Sequence, residues 1–218
     1  MNASTSKRKS KIKFRNLFCF GLTLLTALAA AGGAKKQVPT TIVHPGLVAE
    51  VEGLKVTAAE QNCANYAWAA ALDTVLRAQQ IDLGQDYWAD RVTGARCEDN
   101  APTLEDTARL VEGEYGTMGA QVRVTTTLIA GPPRLLDGIL MSLKQGRPAI
   151  LYWRSHPYVL EGVLYDEAVY PTGNKLFEAR ELRLRDPLAP GAEVKFVRNK
   201  DDADEIDGVL LLSVAAVN

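Results

Sequence analysis

The hydrophobic pattern of this chain changes period near Gly146, and that change constrains the fold more than any other feature. Before it, apolar residues recur mainly at helical spacing; after it, they alternate or come in short runs. Five alanines fall between positions 64 and 71, followed by Leu72, Val75 and Leu76, so residues 64–79 read as a helix. Asn62 or Asn65 is placed to cap it, since either side chain can accept from first-turn amides. A second helix is expected over 104–111, where Thr103 precedes it, Asp106 resembles a capping box and Gly113 stops it. A third is expected over 134–144, opened by Pro132-Pro133 and closed by Gly146. The expected strands are 121–127, 149–153, 158–165, 176–185 and 209–214. Helices first and strands afterwards imply an α+β domain, with a helical N-terminal half packed on a C-terminal antiparallel sheet.

Residues 1–34 read as a secretory signal peptide. Six basic residues between Lys7 and Arg15 precede an apolar stretch over 17–31, and small residues follow through Ala34. That stretch of about 15 residues is shorter than the roughly 20 of a membrane-spanning helix, so no stable span is expected after cleavage. Cys19 would be lost with it. Cleavage removes six of the 25 basic residues and none of the 26 acidic ones, leaving 19 against 26. A net charge of about −7 disfavours nucleic acid, because phosphate contact needs a basic face. A secreted or periplasmic location follows, where disulfides persist. The mature chain keeps two cysteines, Cys63 and Cys97, and an even count there favours pairing. Residues 35–57 read as an extended N-terminal segment interrupted by Pro39 and Pro45, and 58–218 as the folded domain.

Few chemistries fit what remains. The mature histidines are His44 and His156, no cluster has zinc-ligand spacing, and no glycine-rich phosphate loop occurs, so neither metal nor cofactor is expected. Ser142, Ser155 and Ser213 lie outside any nucleophile-elbow setting. The stretches that could carry chemistry are Gln61-Asn62-Cys63-Ala64-Asn65-Tyr66-Ala67-Trp68-Ala69-Ala70, then Gly146-Arg147-Pro148, then His156 with Gly162 on one strand, and Asp186-Pro187 after the next.

In that order and spacing they resemble the papain-like cysteine peptidases, in the bacterial C39-like and AvrRpt2-like branch, over residues 58–190. The resemblance implies a papain-like fold with a cleft between its halves. It matches Gln61 to the oxyanion donor, His156 to the general base and Asp186 to the residue that orients it. The nucleophile position, six residues after Gln61 and directly before Trp68, is Ala67. A methyl group has neither lone pair nor proton, so in this register no acyl-enzyme can form. The resemblance also puts Cys63 where relatives carry a cysteine available for pairing, with Cys97 its natural partner. Two readings stay open. In one the protein is a degenerate pseudoenzyme whose cleft holds a peptide or protein segment. In the other Cys63 is the nucleophile of an active cysteine peptidase or acyltransferase, with His156 and Asp186 in their usual roles and Cys97 free. An engineered exchange at position 67 would leave the same sequence.

Overall fold

The computed structural model describes residues 40–217 apart from 55–57, 93, 95–96, 98–100, 118–119 and 135. The expected signal peptide therefore lies outside the described residues. Among the described residues the chain is α+β, with eight strands in one antiparallel sheet and four α-helices.

In chain order the elements are β1 (Ile42–Glu50), α1 (Ala67–Arg77), α2 (Gln85–Val92), α3 (Leu104–Val111), β2 (Gly113–Thr117) and β3 (Ala120–Ala130). Then follow α4 (Asp137–Lys144), β4 (Ala149–Trp153), β5 (His156–Val169), β6 (Lys175–Arg185), β7 (Glu193–Val197) and β8 (Ile206–Ala216). The main path of the sheet runs β2-β3-β8-β4-β5-β6-β7. β5 is long enough to serve three partners. Its first residues pair with β4, its later ones with β1, and its other edge with β6.

The sheet is not confined to the C-terminal half as the change of period suggested. β1 comes from the stretch expected as an extended segment, β2 lies where no strand was expected, and β3 contains the strand expected over 121–127. β1 is held by backbone pairing to β5, for example Val48 opposite Leu164, so its side chains need not alternate to stay in place. A break in its register at Pro45-Gly46 is absorbed by Gly46 at φ +70°, whose N–H donates to Asp166 Oδ1.

α1 is buried from Ala67 to Leu76 and packs on β5 and β4. Its alanines at 69, 70 and 71 have no exposed surface, and their small size lets the helix sit close against its neighbours. β4 is buried at all five positions, so both of its faces are covered. The expected cap differs. The cap position falls on Tyr66, which makes no side-chain cap hydrogen bond; its hydroxyl instead accepts from the Cys97 N–H at 2.9 Å. α3 starts as expected, with Thr103 Oγ1 accepting from the Asp106 N–H. α4 is shorter than expected, beginning at Asp137.

Candidate functional site

The head of α1, the start of α3 and the β4–β5 hairpin enclose a cleft of about 540 Å³. Ala67 and Trp68 line it from α1, Thr103 and Glu105 from α3, Tyr152 from β4, His156 from β5 and Asp207 from β8. The hairpin joins β4 to β5 through Arg154 and Ser155 alone, with Trp153 opposite His156. Both turn residues have positive φ, +55° and +58°, the geometry that a two-residue turn between twisted strands requires. Non-glycine residues adopt it at a cost. Here the Arg154 N–H donates to Glu205 O, its Nε to Glu205 Oε2, and the Ser155 N–H to Asp207 Oδ2. The turn is thus tied to the start of β8 and the segment entering it, and His156 is its first strand residue.

His156 Nε2 lies 3.0 Å from Asp186 Oδ1, bringing together two residues 30 apart in the chain. A carboxylate only accepts, so the neutral ring carries its proton on Nε2 and leaves the Nδ1 lone pair available. The same Asp186 oxygen accepts from the Leu188 N–H at 2.9 Å, which holds the carboxylate in a turn. The Tyr158 ring meets His156 edge-on at 4.6 Å between centroids. Burial, and then the negative charge of Asp186, raise the Tyr158 hydroxyl above its ordinary range.

Just before Asp186, Arg185 forms a bidentate pair with Glu161, both nearly fully buried. Glu161 sits at the bulge where the β5–β6 register shifts between Leu160 and Gly162. Arg185 Nη1 also donates to Pro190 O, so this pair fastens both sides of the loop bearing Asp186.

Gln61 is anchored close to that loop but outside the cleft lining. Its N–H donates to Pro187 O at 3.1 Å and its Nε2 to Ala64 O at 3.0 Å, while Oε1 is buried without a partner. Gln85, at the start of α2, clamps the flanking backbone: Nε2 donates to Glu60 O and Oε1 accepts from the Asn62 N–H. Cys63 and Cys97 form a disulfide, with Cα atoms 5.4 Å apart, so neither presents a thiolate in this structure. His44 lies on β1 and is not among the residues lining the cleft.

No family model, curated protein or solved structure matches this chain.

Sequence reasoning had no route to three of the site's side chains. Glu105 lies inside an ordinary helix first turn, Tyr152 inside an apolar run, and Asp207 two residues beyond an acidic stretch. Asp207 borders the cleft because α3 approaches β8 at Gly208, where a Cβ would stand 2.7 Å from both Ile129 O and Leu104 Cδ2. Burial raises the Tyr152 hydroxyl, Thr107 hydrogen-bonding opposes that, and the Glu105 charge adds to the rise. The hydroxyl therefore stays protonated at neutral pH. Among the described residues no group of His, Cys, Asp and Glu is arranged to hold a metal ion.

Proposed function

We propose that this is a secreted or periplasmic papain-like protein in which the peptidase chemistry is lost at Ala67 and the cleft binds an extended peptide segment. One observation carries the reading: Ala67, at the head of the buried helix, lines the same cleft as His156, and His156 is bonded to Asp186. A helix N-terminus facing a histidine oriented by a carboxylate is the arrangement that activates a thiol. What is missing is the thiol. The Cys63–Cys97 disulfide supports both export and the absence of a nucleophile. No described helix is long and apolar enough to cross a membrane. An extended peptide can lie along the cleft through backbone hydrogen bonds.

Ala67→Cys tests the reading directly. Treated with a peptidyl vinyl sulfone at neutral pH, the variant should gain one adduct by intact mass, while the parent protein gains none. Adding His156→Ala should slow labelling by about 10²-fold or more, the usual contribution of a general base. A folded Ala67→Cys protein that stays unlabelled would remove Ala67 from the nucleophile position. An adduct on Cys63 of the parent would instead assign the active cysteine peptidase or acyltransferase that uses Cys63, His156 and Asp186.

A further inference from the structure

Among the described residues the cleft is lined by two carboxylates, Glu105 and Asp207, and by no Lys or Arg. Tyr152 is 6 % exposed and lines the cleft. Its hydroxyl contacts Thr107 Oγ1 at 3.4 Å. The Thr107 hydroxyl has a single proton, and it is given to Thr103 O at 2.8 Å. Tyr152 is therefore the donor to Thr107, and among the described residues no donor reaches the lone pairs of Tyr152 Oη. The Tyr152 oxygen can therefore accept from a donor brought by a ligand or water.

The same cleft presents the Glu105 and Asp207 carboxylates. Asp207 Oδ2 is occupied by the Ser155 N–H, and its second oxygen remains an acceptor. In its neutral form His156 adds the Nδ1 lone pair, since Nε2–H faces Asp186. Among the described residues no Lys or Arg lines the cleft. The nearby Arg154 is paired with Glu205 and stacked over Trp153. The start of α3 does not reverse this balance. Thr103 caps it, and Glu105 and Asp106 already provide the negative charge that a helix N-terminus favours.

We infer that the cleft is selective for a cationic hydrogen-bond donor, so that the bound segment places a Lys or Arg side chain against Glu105, Asp207 and the Tyr152 hydroxyl. This deepens the peptide-binding reading and rests on it. A guanidinium or ammonium group carries only donors and a positive charge, the complement of these acceptors.

Fluorescence polarisation of the full chain with labelled decapeptides that differ only in a central Arg, norleucine or Glu tests this. The Arg peptide should bind about tenfold or more tightly than the norleucine peptide, and the Glu peptide more weakly still. The double variant Glu105→Gln, Asp207→Asn should erase the preference while circular dichroism stays unchanged. The amide oxygen introduced by Asp207→Asn can still accept from the Ser155 N–H, so the hairpin is spared. Tyr152→Phe, which keeps the ring, should lower Arg-peptide affinity and leave norleucine-peptide affinity unchanged. Equal affinity for Arg and norleucine peptides overturns the inference and leaves peptide binding standing. A preference for the Glu peptide overturns it as well. If no peptide binds, agmatine separates the cases by NMR. Shifts at Glu105, Tyr152 and Asp207 would retain the cationic preference and discard the peptide, and no shifts would discard both.

Discussion

Asp73 lies midway along α1, with its side chain 2 % exposed and Oδ2 3.1 Å from Arg77 Nη2. Burial raises its pKa above the ordinary 3.8, and the nearby Arg77 only partly opposes that. A carboxyl that holds its proton more tightly when folded does not weaken the fold at low pH. It does so progressively as pH rises from about 3.8 through the raised folded value, at about 1.4 kcal/mol for each pH unit between the two. Asp73→Asn should therefore flatten the decline of stability over that window. It should also raise Tm at pH 7, by about 2–4 °C for each kcal/mol recovered. Thermal denaturation from pH 4 to 8 measures both. A lower Tm for the variant at pH 7 would mean that the Arg77 ion pair outweighs the burial penalty. Arg77 keeps a second carboxylate, Asp82 at 3.2 Å, in either protein. At this scale the sequence singled out His156 and Asp186, and the structure brings the two within hydrogen-bond distance. It offered no cue to Tyr152 or Asp207, because neither stands in a local pattern that differs from ordinary strand.

The β4–β5 hairpin shows how an element places a site residue. Its turn puts Arg154 and Ser155 at φ +55° and +58°, where an L-residue pays a conformational cost that glycine does not. Ser155→Gly keeps the N–H that donates to Asp207 and relaxes the second turn position. The variant should be about 0.5–1 kcal/mol more stable, read as a higher urea midpoint at unchanged slope. Destabilisation would show that the Ser155 hydroxyl, rather than its backbone, secures the turn. Among the other elements, α3 was legible because its signals are local: a capping threonine, first-turn carboxylates and a glycine after its end. α2 was not. It buries only Gln85, Trp88 and Ala89, too narrow a stripe to stand out from its polar neighbours. β7 has only five residues, and it is a strand because β6 offers it an edge.

Across the molecule, the Cys63–Cys97 disulfide joins the segment before α1 to the segment after α2 over a separation of 34 residues. In the chain-entropy account such a link contributes about 3–4 kcal/mol. Replacing both cysteines by serine should lower stability by that order, measured as the fall in unfolding free energy against the oxidised parent. Reduction of the parent should do the same. An unchanged Tm after complete reduction and alkylation would refute it. The sequence by itself determined the α+β class, the helical character of the stretch after Tyr66, the strands that follow Gly146, and the order of the candidate site residues. These follow from side-chain periodicity and capping, which act over a few residues. The tertiary structure alone decided that β1 and β2 join the sheet, that β3 pairs with β8, and that α3 and β8 meet closely at Gly208. It likewise decided that Glu105, Tyr152 and Asp207 share a cleft with His156. Backbone pairing and close packing join residues far apart in the chain, and no local pattern records which partners they will find.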